Sequence, residues 1–336
     1  MVHRTRRAHS RTYRRQRRDR RRAQARARRS TVGDYCAVRP FRFGVAATWA
    51  NSREAWVAKA KRAEELGYDV FLIPDHTGHQ LAPVPALMAV ADATSRLRIG
   101  SFVFANDYRQ PLMLSKEVAT LDLLSSGRME FGIGAGWSTP DYERMGIPYE
   151  RPGVRVDRMV ESIRLIKRLF REERVDFSGK HYRARGARLW PKPAQRPMPP
   201  LMVGGGGRRI LSIAAREADI VALVPQVDAR GRHHGREITA AATAQKIDWI
   251  RKAAGDRFEH LELQSFVVDV DIGGLFSALK RIPFALSGSP YFLYGTTGQV
   301  ARDLIRNRER WGLTYYPIPD RAMENFAPVL AALRGR

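Results

Sequence analysis

One cysteine, Cys36, is the only thiol in this chain. A lone thiol excludes an internal disulfide and a cysteine-built metal site, and it fits a reducing compartment. No apolar run approaches the roughly 18 residues that a membrane-spanning helix needs. The basic start is not followed by the apolar core of a secretory signal either, because Tyr35-Cys36-Ala37-Val38 is cut off by Arg39-Pro40, so a cytoplasmic location is expected. Acidic residues are also scarce: 34 Asp and Glu stand against 59 Lys and Arg, a formal net charge of +25.

Much of that excess is local. Residues 1–39 carry fifteen arginines against Asp19 and Asp34. Residues 1–30 show almost no apolar periodicity, and self-repulsion among so many arginines keeps such a segment extended and solvated. Three readings compete for it: an arm that grips polyanions, nucleic acid included, without sequence specificity; a solvated tail irrelevant to the chemistry; and a contact with a membrane surface. The expected organisation is an Arg-rich extension over 1–38 and one catalytic domain over 39–336.

From Phe41 onward, short apolar runs alternate with helical patterns. Strands are expected at 41–47, 68–73, 97–104, 129–134, 201–203, 220–224, 261–268 and 314–318. Helices are expected at 52–66, 83–94, 109–124, 154–171, 208–218, 238–254, 299–311 and 322–333. A proline-rich insertion covers 137–152, residues 177–190 read as a small hairpin, and 273–290 is irregular. Eight strands alternating with eight helices predict a (β/α)8 TIM barrel with insertions, with a doubly wound open sheet as the alternative. In a barrel, chemistry sits where strands end and loops begin.

The strand exits therefore supply the candidates. Gly204-Gly205-Gly206-Gly207 precedes a helix that opens with Arg208 and Arg209, an arrangement suited to holding a phosphate by backbone N–H groups; a merely tight turn is the bland alternative. Asp75-His76 is a polar pair on an apolar strand, and a histidine there can move a proton or stabilise an anion; the bland alternative is a satisfied loop histidine. His76 and His79 form H-x-x-H without supporting carboxylates, so no metal is expected. Trp49, Trp137 and Tyr142 are placed to enclose a planar aromatic ligand, with ordinary core packing as the bland alternative; Trp49 and Tyr142 are candidate substrate contacts. Asn106 lies on another exit. Glu117 and Glu161 are expected to be solvated on helix faces.

With these residues in view, the chain from Phe41 onward resembles the luciferase-like monooxygenase superfamily, and more narrowly its coenzyme F420-dependent oxidoreductases. The segments that carry the resemblance are PDHTGH (74–79), RQPLMLSKEVATLDLLSSGRMEFGIGAGW (109–137), RPGVRVDRMVESIRLIK (151–167), PLMVGGGGRRILSIAAREADIV (200–221) and SPYFLYGT (289–296). It implies a barrel that binds F420, or alternatively FMN, at its mouth. Asp75 and His76 then lie near the reactive ring, with His76 catalytic, and a non-prolyl cis peptide falls at or beside Phe102-Val103. Ile133, Gly134, Ala135, Gly136 and Trp137 form the fourth-strand exit, a ring-pocket wall expected to stand opposite Gly204–Gly207. The resemblance also implies a small-molecule substrate, and a homodimer is the expected assembly. Sugar-phosphate dehydrogenases of that group have a Glu after the fourth-strand Gly, where this chain has Ala135, which leaves His76 as the expected proton donor.

Overall fold

The structure is a computed structural model and describes residues 39–228, 235–273 and 288–336. The arm at 1–38, His233-His234 and most of the irregular stretch at 273–290 lie outside the described residues. Eight parallel staves form the barrel: β1 (Arg42–Ala46), β2 (Val70–Ile73), β3 (Arg98–Ser101) continued by β4 (Phe104–Ala105), β5 (Met129–Gly134), β8 (Leu201–Gly205), β9 (Ile220–Leu223), β10 (Glu262–Ser265) and β13 (Leu313–Pro319). Each stave pairs with its neighbour in that order, β13 pairs with β1, and β3 pairs with β5, so the ring is closed.

The helices between staves are α1 (Arg53–Leu66), α2 (Pro83–Ala93), α3 (Pro111–Leu124), α5 (Pro152–Arg171), α6 (Arg208–Glu217), α7 (Ala240–Ala254) and α8 (Thr297–Trp311), with α9 (Met323–Leu333) closing the chain. Their ends follow local chemistry. Ser52 accepts from the Ala55 N–H to cap α1, and Gly67, at φ 88°, ends it in the left-handed region that glycine enters without a Cβ penalty. Thr296 and Gln299 form a reciprocal capping box on α8. The alternation expected from the sequence is therefore present, with additions: the insertion after β5 contains a seven-residue helix, α4 (Thr139–Met145), set off by Pro140 and ended by Gly146, and two short strands after β10 were not expected. The antiparallel pair β6 (Val175–Ser178) and β7 (Arg183–Ala187) is the expected hairpin, and β11 (Asp269–Ile272) pairs with β12 (Phe292–Gly295) beside the barrel.

Two apolar layers result. The larger fills the space between staves and helices, while Val70, Leu72, Met202, Ile220, Ala222 and Tyr315 fill the barrel interior beneath Phe102 and Val103. Strand β5 is buried on both faces: Met129, Phe131 and Ile133 face the helices, and Glu130, Gly132 and Gly134 face the interior. The two glycines have a steric reason. A Cβ at Gly132 would lie 2.1 Å from the Ser101 carbonyl oxygen and one at Gly134 would lie 2.8 Å from a Val103 methyl, so their bareness makes room for β3 and for Val103. Below them, Glu130 accepts from Arg42, from Arg98 Nε at 2.8 Å and from the Tyr315 hydroxyl at 3.2 Å, while Arg42 also reaches Glu262 at 2.6 Å. The barrel floor is thus an ion network.

Candidate active site

The C-terminal ends of the staves surround a cavity of about 980 Å³. Its floor is Phe102, Val103 and Phe266; the peptide bond between Phe102 and Val103 is cis, and the Phe102 and Phe266 rings stack at 6.0 Å. Trp137, Tyr149, Pro152 and Arg155 from the insertion and the start of α5 form part of the wall, and Thr48, Gln226, Val268, Pro317 and Arg321 complete much of the rest. A mainly apolar chamber with a few convergent polar groups suits a planar ligand with a polar tail.

Of the residues singled out from the sequence, Asp75, His76, Phe102, Val103, Gly134–Trp137, Gly204–Gly207 and Arg209 line this one cavity. Five others do not. Ile133 faces the helix layer, and Arg208 is exposed on the first turn of α6. Asn106 is buried, donating to Tyr182 and Asp107 at 3.1 Å each. Tyr142 lies behind the wall, its hydroxyl 2.9 Å from Asp107 and in the space a Gly136 side chain would fill. Trp49 is 41% exposed on the rim, against the His79 ring at 4.2 Å. The Gly134–Trp137 exit is also not opposite the four glycines: β5 pairs directly with β8, so the two exits make one continuous wall.

The four glycines divide into two kinds. A Cβ at Gly205 would meet Ile210 at 2.3 Å and one at Gly206 would meet the Val224 carbonyl at 2.4 Å, so protein packing alone requires both. Gly204 and Gly207 have no such neighbour closer than 3.4 Å. Gly207 is the N-cap of α6 and supplies no side-chain acceptor, which leaves the first-turn N–H groups available to an anion. Arg209 donates to the Gly153 carbonyl at 3.1 Å and pairs with Asp157, tying the α6 start to the α5 start. Among the described residues, three arginines, 155, 209 and 321, line the chamber against a single carboxylate, Asp75. That carboxylate is already matched, accepting from Arg109 at 2.5 Å and from the Ala105 N–H at 3.0 Å. The chamber therefore favours an anionic ligand.

His76 stands at the cavity with its Nδ1 2.6 Å from Asp141 Oδ2 and its ring edge-on to Trp137 at 5.2 Å. Asp141 is 2% exposed; burial acts against its charge, but hydrogen bonds from His76, Thr77 and Ser138 outweigh it and hold the carboxyl at about 2. Tyr108, also on the wall, is pushed up by burial and then by the nearby Asp141 and Asp75 charges. Asp141 and Tyr108 were not legible as site residues: Asp141 is 65 positions from His76, on a helix too short to show periodicity. Pro140 after Ser138-Thr139 is the one signal of that helix. Glu117 and Glu161 are not simply solvated. Glu117 lies 3.2 Å from Arg109, its carboxyl raised by burial against that charge, and Glu161 accepts from the N–H groups of Lys180, His181 and Tyr182. No group of three metal-binding side chains occurs among the described residues.

Residues 34–254 match the model of a family described as luciferase-like monooxygenase. An F420-dependent glucose-6-phosphate dehydrogenase of Amycolatopsis mediterranei is 32% identical over 171 residues, covering 48% of this chain and 51% of that protein. A 5,10-methylenetetrahydromethanopterin reductase of Archaeoglobus fulgidus is 28% identical over 234 residues, covering 68% and 65%. The chain spans about half to two thirds of the length of the curated relatives it matches. Among solved structures, a coenzyme F420-dependent tetrahydromethanopterin reductase from Methanopyrus kandleri superposes with a TM-score of 0.69 at 17% identity, covering 88% of this chain and 100% of that one. A long-chain alkane monooxygenase superposes at 0.73 with 14% identity, covering 88% and 92%. At such identities the structures share the fold.

Proposed function

The chain belongs to the luciferase-like monooxygenase family, and on that premise we propose that it is an oxidoreductase exchanging a hydride between coenzyme F420 and a small organic substrate. The observation that carries this reading is the convergence on one chamber of an uncapped helix start, an excess of arginine and a histidine held by a carboxylate. The sequence relatives with F420-dependent names support the choice of cofactor. When bound, F420 supplies the hydride acceptor or donor; the protein supplies binding, orientation and proton handling.

The residues present fit that group. Gly204, Gly207 and the first turn of α6 offer backbone to a phosphate, with Arg209 and Arg155 adding positive charge. Phe102, Val103 and Phe266 offer an apolar bed to a flat ring. Trp137 and Tyr149 narrow the mouth and limit water, and the Tyr149 hydroxyl is fixed by donating to the Trp137 carbonyl at 2.8 Å. Asp75, committed to Arg109 and Ala105, fixes the β2 exit, whereas the His76 imidazole is one-third exposed and able to give or take a proton at the cavity. An FMN-dependent monooxygenase is the second reading, favoured by the family model itself.

Turnover separates the two. Oxidised F420 mixed with a panel of small alcohols and sugar phosphates should lose its fluorescence with at least one of them. His76→Ala should abolish that loss while still binding F420. Oxygen consumption with reduced FMN, and no turnover of F420 with any panel member, would establish the second reading instead.

A further inference from the structure

We propose that Asp141, on the short helix α4 of the insertion, is the positioning residue for His76, holding the imidazole as its Nδ1–H tautomer and leaving Nε2 as the nitrogen that serves the cavity. The proposal rests on the reading of His76 as the proton-handling group and adds the partner that sets its state. It also gives the insertion a role in the chemistry beyond covering the chamber.

The two oxygens of Asp141 do different work. Oδ1 accepts from the Thr77 N–H at 3.1 Å, the Thr77 hydroxyl at 2.7 Å and Arg144 Nη1 at 3.1 Å. The two Thr77 bonds staple α4 to the β2 exit without involving His76, while the Arg144 bond, three residues along the same helix, holds the carboxylate within α4. Oδ2 accepts from His76 Nδ1 at 2.6 Å, and the Ser138 and Tyr108 hydroxyls also donate to this carboxylate. A carboxylate surrounded by donors can only accept, so the proton of that bond resides on Nδ1. The edge of Trp137 against the ring then opposes rotation of the imidazole out of this pose. A histidine that merely satisfied a loop would not need a second, separately anchored carboxylate oxygen.

The consequence for proton transfer is direct. In carbonyl reduction the hydride adds to carbon, the C=O π pair moves to oxygen, and the proton on Nε2 of the imidazolium passes to that oxygen. The ring is left neutral, with Nδ1–H still donated to Asp141. In alcohol oxidation the same steps run backward: Nε2 takes the hydroxyl proton, hydride leaves carbon, and the imidazolium forms beside a charge of opposite sign.

Asp141→Asn is the informative change. Oδ1 remains to serve Thr77, so the amide NH2 takes the place of Oδ2 and faces Nδ1. A donor there requires Nδ1 to accept, which moves the proton to Nε2. Long-range 15N–1H spectra of the full-length protein labelled at histidine read the tautomer without any substrate. The wild type should show His76 protonated at Nδ1, and D141N should show it protonated at Nε2, with the F420 dissociation constant changed by less than about threefold. For a panel substrate that turns over, D141N should lower kcat by about a hundredfold or more and leave KM nearly unchanged. The H76A/D141N double variant should be no slower than H76A alone.

A wild-type His76 protonated at Nε2, or a D141N spectrum unchanged from wild type, overturns the proposal. The wild-type spectrum decides the matter even where the variant does not fold. Failure of the underlying reading looks different: H76A would retain turnover while the Nδ1–H tautomer stood as stated.

Discussion

Gly206 and Gly207 are adjacent residues with opposite reasons for being glycine, and exchanging each for alanine separates a tight turn from a ligand cradle. At Gly206 the new methyl would lie 2.4 Å from the Val224 carbonyl oxygen and 2.9 Å from the Gln226 nitrogen, both backbone atoms that cannot swing aside. Overpacking of this kind costs about 1–3 kcal/mol. For a domain of this size that corresponds to roughly 2–4 °C of melting temperature per kcal/mol. At Gly207 the nearest atom is the end of the Gln226 side chain at 3.4 Å, and φ is −89°, a value open to any residue. Gly207→Ala should therefore be neutral, or gain about 0.4–1 kcal/mol by restricting the unfolded chain. Its methyl nevertheless stands at the helix start where the phosphate is proposed to sit. An affinity loss of about 1.4 kcal/mol, which is tenfold, is expected there. Thermal unfolding and F420 titration of both variants give four numbers. Unchanged affinity in a stably folded G207A would refute the cradle and leave the four glycines as a packing device.

Three further outcomes follow from the geometry. Asp141 has its carboxyl depressed to about 2 in the folded protein against 3.8 as its reference, so its contribution is full above about pH 4 and is lost as pH falls toward 2. That contribution is on the order of 2 kcal/mol, and urea unfolding of wild type and D141N at pH 7 and pH 3 should differ most at pH 7. Glu130→Ala should cost about 3–5 kcal/mol in urea unfolding, because Arg42 and Arg98 lose a buried partner at the barrel floor. Arg209→Ala should weaken F420 binding more at low than at high salt, since it removes a charge at the proposed phosphate end, with little change in melting temperature because its pair with Asp157 is exposed.

The alternation of staves and helices was readable because each stave is an apolar run bounded by turn residues and the long helices keep a 3.6 period; Gly67 marks a boundary that the structure places at the same point, while the helix expected from 109 starts at Pro111. The strand exits were readable for the same reason, which is why His76 and the four glycines could be found. What was hidden depends on the third dimension. Glu130 alternates with apolar neighbours and so suggests a solvated face, yet both faces of a barrel strand are covered and it meets Arg42 from 88 positions away. Tyr142 has the composition of a pocket wall but its hydroxyl turns to Asp107, behind Gly136. The adjacency of the two glycine exits follows from which staves neighbour each other, with the hairpin β6–β7 and helix α5 lying between them in the chain.

Equilibrium titration of the full-length protein with F420 and, separately, with FMN tests the central proposal most directly. Saturable F420 binding in the micromolar range or tighter, with FMN at least tenfold weaker, is the predicted result. Micromolar FMN binding with no detectable F420 binding would contradict it.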